Sequence, residues 1–128
     1  MKIHGLGTDI VNIQRMSKLI KKNTNFKKRI FSQSEIRQCN ANTNKYACYS
    51  KRFAAKEAFS KALGTGISNG LNFNEIVIKN DNKGKPNIYL YGKSLKVVKK
   101  ELKKNLFDIM LTISDDKPFA VATVIIIV

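Results

Sequence analysis

Apolar residues along the chain fall into short runs separated by polar clusters, and the spacing within each run predicts the element it forms. Residues 2–11, KIHGLGTDIV, form an apolar run broken by two glycines and read as a strand. From Asn12 onward Ile13, Met16, Leu19 and Ile20 recur at three- and four-residue steps, with Arg15, Lys18, Lys21 and Lys22 falling elsewhere, which predicts an amphipathic helix ended by Asn23-Thr24-Asn25. FKKRIF, residues 26–31, reads as a short basic turn. Ser32 then stands three residues before Glu35, a capping-box pattern that starts a short helix. The longest helical pattern runs from about Lys45 to Leu63, with alanines at 54, 55, 58 and 62 that favour helix and allow close packing, and Gly64 placed as its C-terminal cap. Residues 73–79 and 87–91 read as the two strands of a hairpin around the turn NDNKGKP. Residues 94–104 form a lysine-rich helix with Leu95, Val98 and Leu102 inward, and 107–114 and 119–128 are two further strands joined by the turn DDKP.

The last strand, FAVATVIIIV, is apolar on both faces, so it must be covered twice. Two arrangements satisfy this: a subunit interface on one face, or a central strand beneath helices of the same chain. The pattern as a whole predicts an α+β fold in which an antiparallel β-sheet packs with a long central helix and shorter helices. At 128 residues, with no repeat and no linker, the chain has the size of one domain, residues 1–128. The ten-residue C-terminal run is too short to span a bilayer as a helix, and the N-terminus has no signal-peptide pattern. These features predict a soluble, cytoplasmic protein with no membrane partner. Cys39 and Cys48 match neither a metal-ligand spacing nor a disulfide framework and read as partly buried free thiols.

Charge changes the picture of the partners. Lys and Arg number 24 against 9 Asp and Glu, a net charge of +15, and a field of that sign attracts polyanions and acidic proteins. A small basic nucleic-acid-binding module is therefore one reading. Against it, the basic runs are not interleaved with aromatic residues and match no nucleic-acid motif.

Candidate chemistry sits in two stretches. In GLGTDIVNI, residues 5–13, Asp9 interrupts an apolar strand, where a carboxylate is costly unless it is paired or binds a metal. In RFAAKEAFSKALGTGI, residues 52–67, Glu57 and Lys61 are four apart on one helix face, with Lys56 adjacent and Arg52 on a different part of the surface. Alone, Glu57–Lys61 reads as a surface ion pair worth about 0.3–0.5 kcal/mol. Gly64-Thr65-Gly66 alone reads as a helix stop, and as a phosphate loop it is misplaced, because a helix C-terminus has the unfavourable dipole. In combination, two carboxylates on separate elements suit one hard cation: Mg2+ takes one or two carboxylates and leaves its other positions to water and substrate phosphates. Lys61 then neutralises phosphate charge that the metal does not.

GLGTDIVNIQRM, RFAAKEAFSKALGTGI followed by NGLNFNEIVIKNDNKGKP, and the closing AVATVII resemble the holo-[acyl-carrier-protein] synthases, the small bacterial class of 4′-phosphopantetheinyl transferases. The resemblance runs from about residue 3 to the C-terminus. It implies transfer of the phosphopantetheine arm of coenzyme A to a serine of acyl carrier protein, in fatty acid biosynthesis, with release of adenosine 3′,5′-bisphosphate. It also implies that Asp9 and Glu57 are Mg2+ ligands and that Lys61, Lys56 and Arg52 lie near the coenzyme A phosphates. Gly64-Thr65-Gly66 matches the family's glycine loop. Asp9, Glu57 and Lys61 become the catalytic set, with Glu57, directly or through a metal-bound water, the candidate for taking the serine proton. A homotrimer with active sites between subunits is the implied assembly. Many members of the family carry a histidine just after the Ser of the penultimate strand; here that segment reads TISDD, with Asp115 and Asp116. Acyl carrier proteins are acidic, so the N-terminal basic cluster of Arg15, Lys18, Lys21, Lys22, Lys27, Lys28 and Arg29 is the candidate docking surface. The lysines of 96–104 read as a solvated face.

Overall fold

The computed structural model describes residues 1–64 and 70–128. Their order is β1 (Ile3–Asn12), α1 (Ile13–Lys22), α2 (Thr24–Ile30), α3 (Gln33–Asn40), α4 (Lys45–Leu63), a 3-10 turn (Phe73–Glu75), β2 (Ile76–Asn80), β3 (Pro86–Leu90), α5 (Gly92–Leu102), β4 (Asp108–Asp116) and β5 (Phe119–Ile127). The local signals act as expected at most boundaries. Asn12 accepts from Arg15 N at 3.0 Å and starts α1. Ser32 and Glu35 form the complete capping box of α3. Gly64 ends α4 at φ +94°, a left-handed conformation that glycine adopts without a Cβ penalty. FKKRIF proves to be most of a helix, not a turn: Asn23 accepts from Asn25 N and Phe26 N and so caps α2 directly after α1. Phe73–Glu75 is a 3-10 turn, so β2 begins at Ile76.

The strands make two antiparallel sheets, one of three strands in the order β1-β5-β4 and the separate hairpin β2-β3. The sheets share the core but not a ladder. Helix α4 lies on the three-stranded sheet against β1 and β5. It is buried nearly all round, with Ala54, Ala55, Ala58 and Ala62 within it at 3% exposure or less. Small side chains let a helix come this close to its neighbours.

The two-faced last strand is resolved by this layering. β5 is central, and its even positions Ala120, Ala122, Val124 and Ile126 are fully buried in the core, each larger aliphatic worth about 1.5–3 kcal/mol. A helix of the same chain therefore covers one face. The other face stays bare. The register aligns Leu6–Ile125–Met110 and Ile10–Val121 across the sheet, and Leu6, Ile10 and Met110 are 65%, 61% and 54% exposed. No helix among the described residues is long and apolar enough to cross a membrane.

The cysteines correct the expectation of free thiols: Cys39 and Cys48 form a disulfide, with Cα atoms 5.4 Å apart. Cys39 closes α3 and Cys48 lies in the first turn of α4, so the short turn between the helices brings together residues nine apart in sequence. That proximity is a product of the turn geometry, which no spacing rule anticipates.

Candidate functional site

β1 presents alternate residues to α4, and Gly7 and Asp9 are on that side. A Cβ on Gly7 would overlap the Ala58 carbonyl oxygen, and one on Gly5 the Ala62 carbonyl oxygen. The glycines thus let strand backbone rest on helix backbone, and Asp9 emerges beside the turn that carries Glu57 and Lys61. The Lys61 ammonium donates to Asp9 Oδ1 at 3.1 Å and to the Thr8 carbonyl at 3.0 Å. The Asp9 side chain is 16% exposed, whereas that of Lys61 is 54% exposed, so the lysine reaches in from solvent to a carboxylate set into the surface. Such a pair contributes at most about 1 kcal/mol. Burial, and after it the neighbouring Asp9 charge, hold the Glu57 carboxyl above the usual carboxylate range, with Lys61 pulling the other way.

The structure therefore brings together the three residues expected to act together: Asp9, Glu57 and Lys61. Two carboxylates face one ammonium, so the cluster carries a net negative charge and repels itself. Hard oxygen donors in that state fit a divalent cation such as Mg2+, and no group of three or more His, Cys, Asp or Glu gathers among the described residues.

Lys56 goes elsewhere, and its expected place at a phosphate is corrected. Its side chain is fully buried, and its ammonium donates to Glu35 Oε1 at 2.7 Å, to the Phe73 carbonyl at 2.7 Å and to the Ile76 carbonyl at 2.6 Å. Three donors meet three acceptors, which leaves none for a ligand and requires the charged form. Burial lowers its pKa to about 8 against the attraction of Glu35. Glu35 completes the knot by accepting from Ser32 N at 2.9 Å and Ile78 N at 3.0 Å. The pair ties α3 and α4 to the start of β2. Glu35 showed in the sequence only as a capping residue, because its second task depends on partners 21 and 43 positions away.

Arg52 is 8% exposed. It donates to Cys48 Sγ at 3.0 Å and to Gln38 Oε1 at 2.8 Å, while its Nε is buried without a partner. Desolvation lowers its pKa, with Glu35 opposing. Its guanidinium braces α3 against α4, away from the face expected of it. Gly64 is exposed, with open space where a Cβ would stand, so its conformation and not crowding calls for glycine. Thr65 and Gly66 lie outside the described residues. Asp115, in the place of the expected histidine, pairs with Lys51 at 3.3 Å.

The basic cluster holds together. No acidic residue occurs between Ile13 and Phe31. Arg15, Lys18, Lys21, Lys22, Lys28 and Arg29 are exposed on α1 and α2, and Lys27 is half-buried, its ammonium 5.6 Å from the Tyr49 ring centroid. Because α1 follows β1 directly, this surface begins three residues after the strand that carries Asp9.

Comparison with known proteins agrees with this geometry. Residues 5–124 match the family described as the 4′-phosphopantetheinyl transferase superfamily. A holo-[acyl-carrier-protein] synthase of Pelagibacter ubique is 52% identical over 126 residues, covering 98% of both chains. Among solved structures, the holo-[acyl-carrier-protein] synthase of Neisseria meningitidis superposes with a TM-score of 0.86 at 36% identity, covering 98% of each chain. That of Helicobacter pylori, in complex with coenzyme A, has a TM-score of 0.80 at 35% identity, covering 94% of this chain and 98% of that one. The chain belongs to the 4′-phosphopantetheinyl transferase superfamily, among the holo-[acyl-carrier-protein] synthases.

Proposed function

We propose that this chain transfers 4′-phosphopantetheine from coenzyme A to a serine of acyl carrier protein in a Mg2+-dependent reaction, serving fatty acid biosynthesis in the cytoplasm. The observation that carries the proposal is the meeting of Asp9, Glu57 and Lys61 where β1 crosses α4. Asp9 and Glu57 would hold the cation, which when bound supplies charge neutralisation at the pyrophosphate of coenzyme A. Lys61, exposed and only weakly held, is free to turn from Asp9 to a phosphate oxygen and stabilise the charge that builds as the bond to the leaving adenosine 3′,5′-bisphosphate breaks. The serine oxygen forms the new bond to phosphorus. Glu57, directly or through a water at the site, is the acceptor of the serine proton. The nucleic-acid alternative is disfavoured by the same pair of carboxylates, which would repel a phosphate backbone.

The bare outer face of the three-stranded sheet supports assembly as a homotrimer, because an apolar row of this kind is costly in water. The basic surface of α1 and α2 supports docking of an acidic carrier protein by steering. The test is intact-mass spectrometry of apo acyl carrier protein incubated with the enzyme, coenzyme A and Mg2+. Addition of one phosphopantetheine, lost with a chelator and lost with Asp9→Ala, is the expected result. No mass shift on a competent carrier refutes the activity. In the same assay Arg15→Glu with Lys22→Glu raises the carrier KM and spares that of coenzyme A; an unchanged carrier KM removes the docking surface.

A further inference from the structure

We propose that Gly7 is a specificity-determining positioning residue: by letting β1 lie directly on α4, it sets the gap between the Asp9 and Glu57 carboxylates and thereby the size of the cation they hold. The proposal deepens the metal reading above and rests on it.

The geometry is specific to one turn of one helix. A Cβ built on Gly7 would stand 2.6 Å from Ala62 N and closer still to Ala58 O, both backbone atoms. Ordinary contact begins at 3.4 Å, so even the milder of these overlaps calls for about 0.8 Å of separation. Backbone in a helix cannot swing aside as a side-chain tip can. The strand is equally constrained, because Gly7 and Asp9 are held in the ladder opposite Val124 and Ala122 of the central strand. A methyl group at position 7 therefore lifts the turn of α4 at Ala58, next to Glu57, off the strand. Ala58 directly follows Glu57 and Ala62 directly follows Lys61, while Asp9 is two residues past Gly7 on the same side of β1. The displacement thus falls on the distance between the two carboxylates.

The size of that displacement matters for the ion. Mg–O bonds of about 2.0–2.1 Å belong to a demanding octahedron, whereas Ca2+ accepts about 2.3–2.6 Å and irregular geometry. Shared between two metal–oxygen bonds, a widening of about 0.8 Å is about 0.4 Å each, which matches the step from Mg2+ to Ca2+ distances. Gly5 provides the matched control. A Cβ there overlaps backbone just as severely, at the Ala62 carbonyl, but two residues further from Asp9.

The experiment is calorimetric titration of the purified full chain, saturated with coenzyme A and without acyl carrier protein, with Mg2+ and, separately, Ca2+, for wild type, Gly7→Ala, Gly5→Ala and Asp9→Asn. Folding is checked by circular dichroism. Gly7→Ala is expected to weaken Mg2+ binding about tenfold or more. Its Ca2+ affinity should change by about threefold or less, so that the Mg:Ca preference falls. Gly5→Ala should keep the wild-type preference even where it loses stability. A folded Gly7→Ala protein with the wild-type Mg:Ca ratio overturns the proposal, as does a Gly5→Ala protein whose ratio falls equally. Where Gly7→Ala does not fold, Glu57→Asp, which draws that carboxylate back by one methylene and so widens the same gap, is titrated in its place: a fallen Mg:Ca preference supports the proposal and an unchanged one overturns it. Wild type and Asp9→Asn binding Mg2+ equally, or neither binding it, refutes the metal reading itself and this proposal with it, an outcome separable from the failure of Gly7 alone.

Discussion

Replacing Lys56 by methionine tests whether this lysine serves the fold or the ligand. The side chains of Lys56 and Glu35 are both fully buried, 2.7 Å apart. Methionine fills a similar volume, so little cavity is left. What remains is a carboxylate with two backbone N–H donors, from Ser32 and Ile78, and no counter-charge. The carbonyls of Phe73 and Ile76 also lose their shared donor. Breaking a buried pair from one side costs about 3–5 kcal/mol. For a chain of this size a kilocalorie is worth about 4 °C, so the expected fall in Tm is about 12–20 °C. Adding Glu35→Gln to Lys56→Met removes the stranded charge and should return about 1–2 kcal/mol. Differential scanning calorimetry with urea unfolding measures both steps, and coenzyme A KM is followed on whatever fraction stays folded. A single variant that loses less than about 1 kcal/mol while its coenzyme A KM rises sharply would refute the reasoning and return Lys56 to the phosphate. A double variant no more stable than the single one would show that Glu35 is not charged in its site.

Glu57→Gln should raise the Tm of the metal-free protein at neutral pH while abolishing transfer. Because the folded state raises the carboxyl pKa, it favours the protonated form, and stability is lost as pH rises through that raised value; the advantage of glutamine therefore shrinks toward pH 4. Thermal shift across pH measures this, and a variant less stable than wild type at neutral pH contradicts it; Mg2+ should stabilise wild type and leave Glu57→Gln unmoved. Leu6→Lys with Ile10→Lys should convert an assembly into folded monomers in analytical ultracentrifugation, since both residues stand in the bare apolar rows of the sheet. An unchanged mass for the variant, or a monomeric wild type at micromolar concentration, removes the trimer.

Much of the local architecture was determined by the sequence alone, because its causes are local. Helical periodicity, the Ser32–Glu35 box and the Gly64 stop act over three or four residues, and all operate in the folded chain. FKKRIF misled because its helix depends on a cap at Asn23, and an Asn-Thr-Asn cluster signals a break as readily as a start. The meeting of Asp9, Glu57 and Lys61 was legible for a different reason: a carboxylate in an apolar strand and a carboxylate four residues before a lysine are each explicable alone, but together they suggested one shared site. Only the tertiary structure decided where the neighbouring charges went. Glu57 and Lys56 are adjacent in sequence, yet the 100° step between successive helix residues sends one toward Asp9 and the other into the core. Strand order, the separation of the hairpin from the main sheet and the bare sheet face likewise depend on residues distant along the chain, while the closure of Cys39 on Cys48 depends on the turn between α3 and α4. Local pattern states that a segment has an apolar side; what that side meets is settled by packing, which is a property of the whole chain at once.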